Sequence, residues 1–451
     1  TMLILLCNTP ATGTADPWQL ADALKAPYWL QLSGESRIRY ESLDGQFRRT
    51  LSGSDQVIAL RSLLHAQART AIGSFGIELH DARAYRNDDG SFVSSSVVNT
   101  FDVIQAYYQR RWIHNDKALQ QSRLKIGRFT MDIGSRRFVE RNDFRNTINA
   151  FSGAHWQAQL TGDIQLDAFY TVPVQKLPRS RDKLLDNDFD LDEEASKRRW
   201  WGVHLQFPGF VGDTQLDLFG YGLKEADTSE LPTFDRQLIA PGFRLFRSPD
   251  AGAWDMDIEA AWRFGTRSST LSGAETGDLR VDAYMLHAEF GYTFANSWNL
   301  RLALEWDVAS GDKEPDDDKF ERYERLFGTR RRDLGNTGIF GPLTRSNLSA
   351  PAVRVSFRRQ RWDGRAYMQW PSLHEKKDAW LVAALRDPEG NSGTRLGTNF
   401  DSRLRYWLVP DNLRAELGAS AMWYREFANK VNAGPEDNVA IYGYFQVTAY
   451  F

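Results

Sequence analysis

Cysteine is nearly absent from this 451-residue sequence, because Cys7 is the only one. A single thiol cannot form an internal disulfide, and it excludes a metal site built from several cysteines. Long apolar runs are also missing. After Leu6 no stretch of about 18 apolar residues occurs, which excludes transmembrane helices. The formal net charge is only −3, so the chain as a whole has no electrostatic attraction for nucleic acid.

Enzyme signatures are missing as well. The seven histidines include no pair spaced to share one helix face, and no glycine-rich phosphate loop, GxSxG or HExxH motif occurs. The acidic run at 316–318 lacks the alternating ligands of a calcium-binding EF-hand loop. We therefore expect no enzyme activity, no cofactor and no metal site.

Aromatic residues, in contrast, are abundant, with 15 Trp, 16 Tyr and 27 Phe. Many of them alternate with charged residues. In Trp254–Gly265 and Trp298–Ala309, tryptophans and aliphatic side chains occupy one face of a predicted strand, while acidic and basic side chains occupy the other. A strand with one apolar and one charged face is typical of an outer-membrane barrel, where lipid lies outside and water inside.

Eighteen such segments predict an all-β fold, namely a membrane-spanning antiparallel β-barrel of about 18 strands in the bacterial outer membrane. The connections alternate between long and short, as expected for short periplasmic turns and long extracellular loops. The segment 378–386 could extend a neighbouring strand, form a helical turn or add a further strand. The predicted strands cover 29–41, 56–69, 75–85, 101–112, 121–129, 152–160, 163–173, 199–207, 213–223, 238–247, 252–265, 279–294, 297–309, 349–359, 364–371, 396–408, 412–425 and 437–451.

The two ends of the sequence carry further signals. Residues 1–15 resemble the end of a secretory signal peptide, which leaves 16–451 as a single barrel domain. At the other end, Ile441–Phe451 alternates regularly and finishes on an aromatic residue, like the C-terminal signal of outer-membrane barrels. We expect this strand to close the barrel against Trp29–Glu41 and to direct its tyrosines into the lumen.

Arginines occupy many of the positions predicted to face the lumen. In a closed barrel the first and last strands are neighbours, so their arginines form one basic wall opposite the acidic middle strands. Such a wall suits a carboxylate-bearing polymer. The alternative is that the charges pair with one another and stiffen the barrel, which we expect for more than half of them. The arginines concerned are Arg37, Arg39, Arg61 and Arg69 near the start and Arg354, Arg358, Arg403, Arg405 and Arg414 near the end.

Several segments match a known family. They are ELHDARAY at 78–85, IQAYY at 104–108, the arginine-rich run that follows GR at 127–128, and FGTRRRDLGNTGIFGPLTRSN at 327–347. From about residue 29 onwards, the chain resembles the alginate export porins.

This resemblance implies an eighteen-stranded outer-membrane barrel with an arginine-lined constriction that conducts a polyuronate. It also implies that Arg128, Arg136, Arg137, Arg145, Arg330, Arg331 and Arg332 are selectivity residues. The strand pattern adds Arg37, Arg39, Arg61, Arg69 and Arg354 to these pore residues.

We therefore predict a channel that passes an acidic polysaccharide or its oligosaccharides, with outer-membrane lipid around it and no nucleic-acid partner. A monomer is favoured. The direction of transport stays open, because members of the resembled family also occur in organisms that consume polysaccharide. The connection at 409–411 is too short for a periplasmic plug, which argues against a gated exporter. Two alternatives are a general anion-selective diffusion porin and a receptor or adhesin barrel whose long loops bind a ligand.

Overall fold

Antiparallel strands form the framework of the structure. The computed structural model describes residues 17–51, 53–87, 90–116, 118–228, 232–271 and 277–451, so the predicted signal segment 1–15 lies outside the described residues. The strands of the first half are β1 (Leu30–Asp44), β2 (Asp55–Thr70), β3 (Gly73–Tyr85), β4 (Asn99–Ile113), β5 (Leu119–Phe129), β6 (Phe151–Leu160), β7 (Gln165–Gln175), β8 (Glu193–Glu194), β9 (Arg199–Val211) and β10 (Thr214–Lys224). The strands of the second half are β11 (Gln237–Arg247), β12 (Trp254–Ser268), β13 (Asp278–Thr293), β14 (Arg301–Ala309), β15 (Lys319–Phe320), β16 (Leu348–Arg359), β17 (Trp362–Gln369), β18 (Gly397–Val409), β19 (Leu413–Tyr424) and β20 (Val439–Tyr450).

The barrel closes between its first and last strands. β1 pairs antiparallel with β2 on one side and with β20 on the other. The two-residue strands β8 and β15 belong to loops, and the other eighteen strands form one closed antiparallel ring. Every strand of this ring has two neighbours, so no unpaired backbone edge faces lipid. The predicted fold and the predicted pairing of the last strand with the first are both confirmed.

The outer and inner faces of the strands differ as the alternation predicts. On β20, Ile441 and Phe445 are 54% and 51% exposed, whereas Tyr442 and Tyr444 between them are buried inside the barrel. Trp254 and Trp306 also lie exposed on the outer surface. Aromatic and aliphatic side chains on the outside of a closed barrel have lipid as their natural environment.

The strand boundaries agree with the predicted ones to within four residues. One of the largest differences is at β14, which was predicted from residue 297 and begins at Arg301. The Asn296 side chain accepts a hydrogen bond from the backbone nitrogen of Trp298 at 3.0 Å and holds this stretch in a turn. Turns of this kind compete with strand pairing at the end of a strand.

Of the alternatives left open for 378–386, the structure shows a helical turn and no additional strand in this segment. This segment contains a 3₁₀ turn, Leu381–Ala383, and it packs against the loops above the lumen. Trp380 donates a hydrogen bond to the carbonyl oxygen of Pro342 at 2.8 Å and stacks on Phe47 with 5.5 Å between ring centroids. Trp380, Ala383 and Leu385 are therefore buried among loops, which explains why the segment resembles a strand in the sequence.

The helices are short and lie in the connections. They are α1 (Leu20–Ala23), α2 (Arg181–Leu185), α3 (Arg331–Leu334) and α4 (Glu426–Lys430). In the part of the chain that the structure describes, no helix is long and apolar enough to cross a membrane.

Long and short connections alternate along the chain, so they lie at opposite ends of the barrel. The short-turn end includes the connections at 71–72 and 212–213, and the long-loop end includes those at 130–150 and 310–347. The two latter segments, here called the inner loops, fold back into the lumen and bury apolar residues there, among them Val139, Ile148 and Phe340. They position the candidate site.

Candidate functional site: an arginine-lined cavity

A buried ion-pair network anchors the inner loops to the barrel wall. Arg137 of the first inner loop contacts Asp257 at 3.2 Å and Glu259 at 2.6 Å, both on β12, and Asp333 of the second inner loop at 3.0 Å. Arg345 of the second inner loop also pairs with Asp333, and it contacts Asp307 of β14 at 3.0 Å. The network therefore links both loops to each other and to the wall.

Asp333 is the centre of this network and is buried. Burial alone would raise the pKa of its carboxyl group, but Arg137 and Arg345 hold that pKa well below its ordinary value. The carboxylate is therefore ionised and tightly held. Removing one member of such a buried pair leaves an uncompensated charge, so these residues stabilise the loops and are not free to bind a ligand.

A second contact clamps the ring of Phe144 between two guanidinium groups. The Arg39 and Arg331 carbon Cζ atoms lie 3.8 Å and 3.4 Å from the ring centroid. Arg331 also contacts Glu416 at 2.8 Å and the hydroxyl of Tyr444 at 2.5 Å. Cation–π contacts of this kind fix the first inner loop against the seam of β1 and β20.

Between the inner loops and the wall lies a cavity of about 840 Å³, here called the central cavity. Its lining is strongly basic, because eleven arginines but only four carboxylates of the described part of the chain face it. The arginines are Arg37, Arg61, Arg136, Arg244, Arg331, Arg332, Arg358, Arg365, Arg403, Arg405 and Arg414, and the carboxylates are Glu35, Glu140, Asp143 and Glu416. The excess of arginines over carboxylates in the lining, eleven minus four, is seven.

Four of these arginines have no ion-pair partner among the described residues. Arg37 donates to the carbonyl oxygen of Asp143 at 2.9 Å and to the side-chain oxygen of Asn146 at 3.0 Å. Arg365 donates to the carbonyl oxygen of Arg331 at 2.9 Å. Arg414 lies against the rings of Trp407 and Tyr450, and Arg358 is exposed. Neutral partners hold the guanidinium groups of Arg37, Arg365 and Arg414 in place without cancelling their charge.

One carboxylate of the lining titrates near neutral pH. Burial, together with the neighbouring charges of Asp132 and Asp143, raises the pKa of Glu140 to about 7. Glu140 belongs to the first inner loop. The charge of the central cavity therefore becomes more positive as the pH falls through neutrality.

The twelve predicted pore residues separate into four groups. Arg37, Arg61, Arg136, Arg331 and Arg332 line the central cavity. Arg39, Arg128, Arg137 and Arg354 are held in ion pairs outside its lining. Arg145 and Arg330 line a smaller niche of about 90 Å³, and Arg69 lies at the short-turn end.

The sequence pattern left out six arginines of the central cavity. The alternation predicts inward positions for four of them but does not identify these as pore residues, namely Arg358, Arg403, Arg405 and Arg414. It does not indicate Arg244 or Arg365. The signal for Arg365 was its alternation with Tyr367 and Gln369 in β17. Nothing in the sequence around Arg244 separates it from an ordinary wall residue, since its neighbour Asp257 lies on another strand.

A metal site fits the buried side chains poorly. His287, Glu305 and Asp333 bring potential ligand atoms within 4.8 Å of one another. However, Arg354 and Arg345 already pair with these two carboxylates. The three residues are better explained as part of the ion-pair network.

A family model described as "Alginate export" matches residues 28–436. The chain belongs to the alginate export family. This membership and the closed barrel show an outer-membrane channel of bacteria. By the convention of such barrels, the short-turn end is periplasmic and the long-loop end is extracellular.

Solved porins share this fold. A BenF-like porin from Pseudomonas fluorescens Pf-5 is 12% identical, with a TM-score of 0.62 and coverage of 94% of this chain and 98% of that chain. OpdK from Pseudomonas aeruginosa is 13% identical, with a TM-score of 0.59 and the same coverage of both chains. OccK2 (OpdF) from Pseudomonas aeruginosa, solved in complex with glucuronate, is 14% identical, with a TM-score of 0.58 and coverage of 93% and 98%. No curated protein sequence matches the chain significantly.

Proposed function

We propose that this alginate export family barrel passes an acidic polysaccharide or its oligosaccharides, alginate-like in carrying a carboxylate on each sugar, through the central cavity. The observation that carries the proposal is the lining itself, with eleven arginines against four carboxylates. A neutral sugar gains nothing from such a charge excess. A polymer of uronic acids gains a charge-assisted hydrogen bond at each guanidinium fork that it meets.

The arrangement suits a moving chain. The arginines without carboxylate partners come from separate strands, with Arg37 on β1, Arg358 on β16, Arg365 on β17 and Arg414 on β19. Several moderate sites along a path allow a chain to pass from one to the next, whereas one tight site would retain it. Tyr450 also lines the cavity and offers a ring face for sugar rings.

Planar-bilayer recording tests the proposal. The purified barrel should give an anion-selective current that oligouronate blocks, while a neutral oligosaccharide of equal length should not block at the same concentration. A cation-selective current, or equal block by the neutral sugar, would contradict the proposed substrate class. If no current flows at all, the receptor or adhesin alternative is favoured.

A second candidate is diffusion of single acidic sugars, favoured by the glucuronate complex of the similarly folded OccK2. The two candidates differ in their dependence on chain length. For a polymer channel, block by oligouronate should strengthen with each added sugar. For a diffusion channel, glucuronate and the longer oligomers should compete at similar concentrations.

A further inference from the structure

A second basic cavity, of about 530 Å³, lies at the periplasmic end of the barrel and is here called the mouth cavity. The turn between β2 and β3 forms one side, and β4 and β5 contribute the rest. Among the described residues, four arginines line it and no carboxylate does. Its lining residues are Gln67, Arg69, Thr70, Ala71, Ile72, Gly73, Ser74, Gln109, Arg110, Arg111 and Arg123.

The arginines of the mouth cavity repel one another across a strand pair. Arg111 on β4 lies directly opposite Arg123 on β5 in the register. Like charges directly opposite each other destabilise a sheet. Sheet stability therefore does not explain this pair of arginines. Among the described residues, none of the four arginines has an ion-pair partner, which leaves their charges uncompensated.

The local polar groups do not supply the missing anion. Arg123 donates a hydrogen bond to the side-chain oxygen of Gln157, which is neutral. Asp167, the carboxylate whose field acts on Arg123, is already engaged by His155 at 2.8 Å and by Gln157 at 2.7 Å. The mouth cavity therefore has a positive charge, an open volume and amide and hydroxyl groups, but no internal counter-ion.

Basic side chains also lie on the inner faces of the strands that run from the mouth cavity towards the central cavity. Arg61 of the central cavity and Arg69 of the mouth cavity are on the same face of β2, about 26 Å apart at the usual strand rise. Between the two levels, Lys125 follows Arg123 on the inner face of β5, and its ammonium group lies 4.4 Å from the ring centroid of Tyr107. An extended acidic chain is long enough to contact both cavities, whereas a single sugar is not.

We propose that the mouth cavity is a second anion-binding site, which holds a carboxylate of the same acidic chain while another part of that chain occupies the central cavity. This inference rests on the proposed function. Once one part of the chain is bound, the other binds at a high effective concentration, so affinity should grow with chain length. Gln67, Gln109 and Ser74 offer hydrogen bonds to sugar hydroxyl groups beside the arginines.

The test compares block by a long oligouronate in wild type and in the double variant Arg111→Gln/Arg123→Gln, with the sugar added on the periplasmic side. We expect the concentration for half block to rise about tenfold or more, because avidity from two linked sites commonly reaches that size. Removing the facing like charges should not harm folding. The matched control is Arg247→Gln, which removes a charge at the same end from a residue paired with Asp213 and outside both cavities, and it should leave block unchanged.

The outcomes separate the two claims. If wild type is blocked but the double variant is blocked at the same concentration, the inference is overturned and the proposed function stands. If oligouronate fails to block wild type, the proposed function fails and the inference fails with it. If the double variant does not insert into membranes, Arg69→Gln at the exposed strand end replaces it. We expect the concentration for half block to rise in that variant as well, by a smaller factor.

Discussion

Arginine has two different roles in the two halves of this barrel. On the side of β12 to β14, Arg137 and Arg345 meet Asp257, Asp307 and Asp333 and form a compact network. On the opposite side, around β1 and β17 to β19, some arginines pair with carboxylates, as Arg405 does with Glu416. Others, such as Arg37 and Arg414, contact carbonyl groups and rings and keep their charge. The number of carboxylates within reach decides whether an arginine is structural or available to a ligand.

The largest effect is expected in the paired half, for Arg137→Gln. This change leaves the carboxylates of Asp257, Glu259 and Asp333 without their shared partner, which costs about 3–5 kcal/mol of unfolding free energy. The measurement is the denaturant midpoint of the folded barrel. Its control is Arg136→Gln, because the neighbouring Arg136 side chain is 42% exposed and its ion pair with Asp132 is long, at 3.7 Å. Equal midpoints for both variants would show that the network does not hold the loops.

The next effect concerns the side of β1 and β17 to β19, where unpaired arginines such as Arg414 lie. Replacement of Arg414 by Glu lowers the excess of arginines over carboxylates in the lining from seven to five, so anion selectivity should fall. The reversal potential in a salt gradient measures it. Arg128→Gln is the matched control, since Arg128 pairs with Asp102 at 3.2 Å and Glu194 at 2.8 Å outside the central cavity. If the reversal potential shifted in Arg128→Gln but not in Arg414→Glu, Arg128 and not Arg414 would be the residue that controls anion selectivity.

A smaller effect should follow pH. Glu140, with its pKa of about 7, carries a charge above that pH and loses it below. Lowering the pH from about 8 to 6 should therefore increase anion selectivity. In Glu140→Gln this part of the pH dependence should be absent. If the variant follows pH as wild type does, another group in the lumen titrates in this window.

The smallest effect is expected at the contact between the halves. Phe144→Leu removes the ring between Arg39 and Arg331 and loses about 0.5–2 kcal/mol of cation–π interaction. We expect a loop that moves more and hence noisier single-channel current at unchanged selectivity. The same noise in Phe144→Leu and wild type would mean that other contacts fix this loop.

The sequence predicted the barrel well, because alternation with a period of two is a local signal and each crossing repeats it. Ile441, Tyr442, Tyr444 and Phe445 illustrate this, since each faces the side that its position in the pattern implies. The site was predicted less completely. The partners of Arg137 lie at residues 257, 259 and 333, and no local pattern reveals a contact over such a distance along the chain.

The same limit explains the additional strand considered at 378–386. Apolar residues such as Trp380 and Leu385 are buried in both a barrel wall and a packed loop. Only the tertiary contact of Trp380 with Phe47 shows that these residues belong to a packed loop and not to the barrel wall. Alternation identifies the face of a residue, but its partners come from the folded loops.

The most direct test of the whole account is a structure of the barrel with a bound oligouronate. We predict carboxylate groups of the ligand within hydrogen-bonding distance of unpaired arginines of the central cavity, among them Arg37, Arg365 and Arg414. A ligand bound only on the extracellular loops, with the central cavity free of it, would contradict the account and favour a receptor.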